Sequence, residues 1–253
     1  MARSERLKAN EIFDAVRDEA QDELGRSTLS LAFSGLAAGL VLSFSAIGTA
    51  ALSAMAPSAS QAVVALLYPV GFVAVVIGRA QLFTENTLYP VVVVLRDRRQ
   101  FGGMLRLWGV VLLANVVGAF LFALLATRTP ALHADIRQGL VSLGESRMVI
   151  SASALFWGAV VAGWLIAFAA WLVTAADSTI GRIAVLFALV YLIGLGSFPH
   201  SIAGSSETLS AVVAGSSSAG DYVRWFALVV AGNVVGGVVI VALVNYGQVR
   251  DAA

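Results

Sequence analysis

Residues able to do chemistry are few in this chain, and they gather in two places. One is "RAQLFTENTLYP", Arg79 to Pro90, where Arg79, Gln81, Thr84, Glu85, Asn86 and Thr87 interrupt an apolar stretch. The other is "GLGSFPHSIAGSSETL", Gly194 to Leu209, which carries His200, several hydroxyls and Glu207. Imidazole is the side chain whose unperturbed pKa lies near neutrality, so His200 is suited to relaying a proton. The other reading is a histidine locked by hydrogen bonds that merely holds its loop. The two histidines, His133 and His200, stand far apart without metal-ligand spacing. Ser201 and His200 are adjacent and do not face each other as a catalytic pair. The chain contains no cysteine, so neither a thiolate site nor a disulfide framework is possible. The expectation is a protein with no metal, no cofactor, no enzymatic centre and no nucleic-acid partner.

The elements that must position these residues are membrane helices. Apolar residues make up 59% of the 253 residues and charged ones only 12%, which places the chain outside the soluble globular class. Helical spans are expected at about 28–53, 61–95, 102–127, 149–176, 183–214 and 222–247. A crossing takes roughly 20 apolar residues. The second and fifth segments are too long for one straight crossing and too short for two, so they read as helices broken partway, and both polar clusters fall in them. Arg3, Arg6, Lys8, Arg17, Arg26, Arg96, Arg98, Arg99, Arg106, Arg182 and Arg250 fall on the side of the N-terminus; only Arg128, Arg137, Arg147 and Arg224 fall on the other. That asymmetry puts both termini in the cytoplasm of a multi-pass plasma (inner) membrane protein. Residues 1–27 precede the first span and form an amphipathic helix with Ile12, Phe13, Ala15 and Val16 on one side. It is either solvated or in contact with a neighbouring subunit. Residues 28–250 form the membrane domain.

The chain also repeats itself. "AGLVLSF" from Ala38 resembles "AGWLIAF" from Ala162, "TENTLYPVV" from Thr84 resembles "SSETLSAVV" from Ser205, and "ANVVGAFLFALL" from Ala114 resembles "GNVVGGVVIVAL" from Gly232. Three spans per repeat, an odd number, make the second repeat enter from the opposite side. Inverted repeats with discontinuous helices near the midplane characterise transport proteins. Bare backbone inside hydrocarbon persists only when packed in protein or lining a wet cavity, and charge at that depth carries the same implication. Short half-helices are expected to start after each break, at "TLYPVVVVL" and "TLSAVVAG", with N-termini that attract anions.

With "AQLFT" (Ala80–Thr84), "FPHSIA" (Phe198–Ala203) and "GNVVGG" (Gly232–Gly237) in matching order, the sequence resembles the formate/nitrite transporter family. The resemblance implies an aquaporin-like all-α fold of six spans with the second and fifth broken. It further implies one pore per protomer, a homopentamer in the lipid bilayer, and passage of small monocarboxylate or nitrite-type anions, in some cases with a proton. By position it assigns Thr84 and His200 to the pore and proton relay. Phe72, Leu82, Phe83, Ile193 and Phe198 are assigned to constrictions, and Arg147 to a basic vestibule.

Departures from the pattern concern the permeant. Gly163 and Gly204 fall where better-known formate channels carry asparagines, whereas Arg79, Glu85, Asn86 and Glu207 are additions at the helix breaks. Ionised Glu85 and Glu207 would favour cations, as acidic rings do in cation channels. Pairing of Arg79 with Glu85 or Glu207 would make a structural brace instead. A small-anion or weak-acid channel or proton-linked permease is therefore the first reading, and a cation or neutral-solute channel on the same fold is the second.

Overall fold

A computed structural model describes residues 7–249, so Arg3, Arg6 and Arg250 of the charge asymmetry, and the outer ends of the two expected domains, lie outside the described residues. Every regular element among the described residues is helical. In order these are α1 (Ala9–Gly25), α2 (Thr28–Met55), α3 (Gln61–Val64), α4 (Pro69–Ile77), α5 (Tyr89–Arg96), α6 (Phe101–Arg128), α7 (Ala134–Met148), α8 (Ala152–Ala175), α9 (Thr179–Leu195), α10 (Ser201–Ala214), α11 (Ala219–Val235) and α12 (Val244–Val249). Short 3-10 turns join α3 to α4, precede α5 and precede α6, and a π-helical stretch, Gly236–Leu243, joins α11 to α12. Four continuous helical segments are long and apolar enough to cross a membrane, namely Thr28–Met55, Arg98–Arg128, Ala152–Ala175 and Ala219–Val249. Gln61–Ile77 and Thr179–Leu195 are apolar but shorter.

The shorter two end in matching ways. Each stops at a glycine, Gly78 or Gly196, followed by a non-glycine residue in the left-handed region, Arg79 at φ 55° and Ser197 at φ 51°. Such a conformation costs an L-residue roughly 1–2 kcal/mol, so the surrounding packing must hold it. The chain resumes as helix differently on the two sides. After the first break, a 3-10 turn over Glu85–Thr87 leads into α5 at Tyr89 rather than at Thr87. After the second, α10 begins at Ser201, two turns earlier than the expected Thr208. The reason lies in its hydroxyls. Ser205, Thr208 and Ser210 donate to the carbonyls of Ser201, Gly204 and Ser206, four residues back. Polarity that reads as a break is thereby satisfied inside the helix.

Helices approach closely where glycines allow it. A Cβ on Gly39 of α2 would stand 2.9 Å from the Asn115 Cα, and one on Gly163 of α8 would stand 2.6 Å from the Asn233 Cα. The α2–α6 and α8–α11 pairs therefore meet backbone to backbone at equivalent points. The N-terminal helix α1 docks on its own chain: Phe13, Val16 and Ala20 are fully buried. The Phe13 ring meets Trp171 edge-on at 6.4 Å between centroids, and the Arg96 guanidinium lies 4.9 Å over it. The segment before the fourth span forms α7, which buries Leu140, Gly144 and Met148.

Candidate functional site: two cavities and a buried threonine–histidine pair

Asn115 and Asn233 hold the two breaks open in the same way. The Asn115 Oδ1 accepts the Phe83 N–H at 2.9 Å, and its Nδ2 donates to the carbonyls of Gly35 at 2.7 Å and Gln81 at 2.9 Å. The Asn233 Oδ1 accepts the Ser201 N–H at 2.9 Å, and its Nδ2 donates to the carbonyls of Ala159 at 2.8 Å and Pro199 at 3.2 Å. Both side chains are fully buried. Backbone groups freed by the breaks are thus satisfied by a side-chain amide, as hydrocarbon surroundings demand.

These ties bring Thr84 and His200 together. The Thr84 Oγ1 lies 2.8 Å from the His200 Nε2, and neither residue is exposed. His200 is also the N-cap of α10, where its Nδ1 accepts the Ala203 N–H at 3.1 Å. An imidazole nitrogen that accepts cannot carry the proton, so the proton sits on Nε2 and is donated to Thr84. The Thr84 hydroxyl keeps its own proton for another acceptor, while its carbonyl accepts from the Thr87 Oγ1.

Apolar side chains surround the pair. Phe72 presents its ring to His200 in a T-shaped contact at 4.9 Å. Phe72, Leu82 and Ile193 are at most 1% exposed and belong to one core cluster with Ile202. Phe83 turns to Trp108 of α6, edge-on at 5.8 Å. Phe198 is half-buried and lines a cavity described next.

Two cavities flank this layer. One, of about 360 Å³, is lined by Glu19 and Glu23 of α1, Val76 near the end of α4, Arg79, Glu85 and Arg182. The other, of about 170 Å³, is lined by Gln61, Tyr68, Arg147, Ile193, Phe198 and Glu207. The first turn of α9 faces one cavity and its last turn the other, which separates them by most of that helix, roughly 20 Å at 1.5 Å per residue.

The charged residues pair otherwise than expected. Arg79 bonds Glu19 of α1 at 3.1 Å, with its side chain 74% exposed, and meets neither Glu85 nor Glu207. Its left-handed backbone points the side chain out of the break toward α1. Glu207 instead pairs with Arg147, whose Nε donates to its Oε2. The cause is α7: Gly144 lies directly against the Glu207 carbonyl, and Arg147 follows on the same face of the helix. Glu207 therefore neither caps a helix nor stands at its start. Asn86 braces its loop, donating to the Gln81 Oε1 at 2.9 Å, while its carbonyl accepts the Trp108 Nε1–H at 2.7 Å. Glu85 faces the larger cavity, and among the described residues no basic side chain pairs with it. Gly163 packs on Asn233 as above. A Cβ on Gly204 would stand 2.7 Å from the Trp225 ring, so both glycines serve helix packing.

The profile of the formate/nitrite transporter family matches residues 10–247. The chain belongs to the formate/nitrite transporter family. "Inner membrane protein YfdC" of Escherichia coli (strain K12) is 34% identical over 249 residues, covering 96% of this chain and 80% of that protein. A "probable formate transporter" of Methanothermobacter thermautotrophicus is 30% identical over 194 residues, covering 70% of each. Among solved structures, one described as an "FNT family ion channel" aligns with TM-score 0.79 at 20% identity, over 95% of this chain and 96% of that one. A "pentameric formate channel with formate bound" aligns with TM-score 0.71 at 19% identity, over 88% and 97%. The protein is thus an all-helical, multi-pass membrane member of a transporter family with that family's channel fold.

Proposed function

We propose that the protein conducts small monovalent anions, or their weak acids, of the formate or nitrite type through the centre of each protomer. The observation that carries this reading is the Thr84–His200 pair, buried in an apolar layer between two cavities at opposite ends of the fold. An anion entering that layer loses water and gains the free Thr84 hydroxyl as donor, with the neutral imidazole fixed behind it. The apolar collar of Phe72, Leu82 and Ile193 excludes bulkier and more strongly hydrated ions.

In this reading the six spans form two inverted repeats. Support comes from the asparagine ties: Phe83 and Ser201, Gln81 and Pro199, and Asn115 and Asn233 each stand 118 residues apart. Residues 28–250 make the pore domain, α1 lies with both termini on the cytoplasmic side, and the protomers assemble as a homopentamer in the bilayer; the formate channel of similar fold is pentameric. The protein transports rather than transforms its substrate.

Glu85 favours a second reading, a cation or neutral-solute pore, because its carboxylate shares a cavity with Glu19 and Glu23. Purified protein in liposomes separates the two. Fluxes of formate, nitrite and chloride and reversal potentials in asymmetric sodium and potassium salts are measured. An anion-tracking potential with formate and nitrite flux is expected; a potential that follows the cation gradient would overturn the proposal. Glu85→Gln should raise anion flux relative to cation flux where that carboxylate is ionised and faces the pore, and unchanged selectivity would place it outside the conduction path.

A further inference from the structure

The smaller cavity is lined by a residue whose donor has no partner among the described residues. Tyr68 is 4% exposed and its Oη is buried without a hydrogen-bond partner among the described residues. Buried hydroxyls in that state call for a ligand or water. The residue is held firmly in place. Its carbonyl accepts the Ser45 Oγ–H at 2.6 Å, its ring meets Phe72 at 5.5 Å, and a Cβ on Gly194 would stand 2.8 Å from its own Cβ. The side chain is thereby held against the cavity, with the Phe72 ring between it and His200.

Arg147 supplies a second set of donors on the same cavity. Its bond to Glu207 uses Nε, and the two terminal nitrogens make no hydrogen bond among the described residues. Glu207 is itself a carboxylate, the chemical class of a small organic anion, and it is 1% exposed.

We propose that Tyr68 joins the vestibule residue Arg147 in receiving a small monovalent carboxylate or oxyanion, and that Glu207 is a tethered competitor for the guanidinium. The proposal rests on the anion-pore reading above and makes Tyr68 a specificity-determining residue. Its neutral hydroxyl takes one acceptor oxygen of the anion while Arg147 takes the other, ahead of the apolar layer. Glu207 cancels the fixed charge of Arg147, so an arriving anion is held weakly enough to move on.

The test uses the full-length chain. Formate binding is measured by calorimetry in detergent, and formate and nitrite uptake against concentration is measured in liposomes. Tyr68→Phe removes only the hydroxyl, and both the dissociation constant and the half-saturating concentration should rise about tenfold, the weight of one hydrogen bond to a charged group. Glu207→Gln keeps an acceptor for the Arg147 Nε–H but removes the competing charge, and should lower both several-fold. Wild-type binding and flux in Tyr68→Phe would overturn the site and leave the pore reading standing. Unchanged affinity in Glu207→Gln would overturn the competitor. A wild-type protein that neither binds nor carries formate or nitrite would overturn the site and the pore reading together.

Discussion

Replacing Arg147 with methionine isolates what the Arg147–Glu207 pair contributes to stability. Methionine retains most of the apolar stem, so the packing of α7 on α10 is largely kept. Glu207, 1% exposed, is then left without its counter-charge. Removing one partner of a buried ion pair costs about 3–5 kcal/mol, because the remaining charge stays desolvated. Arg147 is 15% exposed and borders a cavity, so some water reaches the carboxylate, and the expected loss lies at the lower end, about 3 kcal/mol. Glu207→Gln leaves a neutral acceptor for the Nε–H and should cost about 1–2 kcal/mol. With both substitutions no charge remains stranded, and the double variant should be more stable than Arg147→Met alone by at least about 1 kcal/mol; set against the two single losses this is a coupling of about 2–3 kcal/mol, within the range for contacting residues. Denaturation of the purified protein in mixed detergent micelles, followed by circular dichroism, measures all three. A loss below about 1 kcal/mol for Arg147→Met, or a double variant no better than the single, would show that the pair is solvated and would refute the reasoning.

Other outcomes follow from the same geometry. Asn115→Ala and Asn233→Ala each strand one backbone N–H and two carbonyls and should destabilise by similar amounts, about 2–4 kcal/mol, in the same assay. Gly39→Ala and Gly163→Ala force helices apart and should cost about 1–3 kcal/mol, whereas Gly109→Ala, with no atom within 4 Å of the added Cβ, should be silent. Burial holds the Glu19 carboxyl above its ordinary value of 4.5, and Arg79 draws it partly back down. A carboxyl raised on folding stabilises the docked helix below the ordinary value, and that stability is lost as pH rises through the folded value. Amide exchange in α1 should therefore quicken, beyond its intrinsic pH dependence, as pH rises from about 4.5 through that raised value, and Glu19→Gln should abolish the excess. His200→Asn keeps an acceptor for the Ala203 N–H, so the protein should fold; its flux should lose or alter its pH dependence, and an unchanged profile would refute the relay.

The membrane class and the two breaks were legible as composition and span length, whereas the Thr84–His200 contact followed only from the family resemblance carried by "AQLFT" and "FPHSIA". What escaped was long-range or hidden by chemistry that polar residues perform on themselves. The start of α10 was misplaced because its serines and threonine bond backward within the helix, so a polar stretch is nonetheless helical. Arg79 was expected to pair within the breaks, and its partner Glu19 stands 60 residues earlier, on a helix that the sequence left solvated or bound to a neighbouring subunit. The partner of Glu207 was missed because Arg147 belongs to a helix that reads as loop. Asn115 and Asn233 were visible as a repeated "NVVG", but nothing local says that an amide in one span ties the backbone of another.

That amide tie bears on how a proton could pass. His200 holds two positions at once, with Nδ1 on the first turn of α10 and Nε2 on Thr84. A second proton can enter the imidazole only at Nδ1, and there it must displace the Ala203 N–H and uncap the helix. Asn233 keeps the preceding residues anchored, bonding the Pro199 carbonyl and the Ser201 N–H on either side of the histidine. The ring therefore cannot move away with the break; as a relay it would have to be reprotonated where it stands, in an apolar layer with no acidic side chain bonded to it among the described residues. In the proposed pore, an anion arriving at the Thr84 hydroxyl would supply the counter-charge. In the proposed relay, proton transfer through His200 would be tied to occupancy of the pore by an anion, and a leak of protons in the absence of permeant anion would refute it.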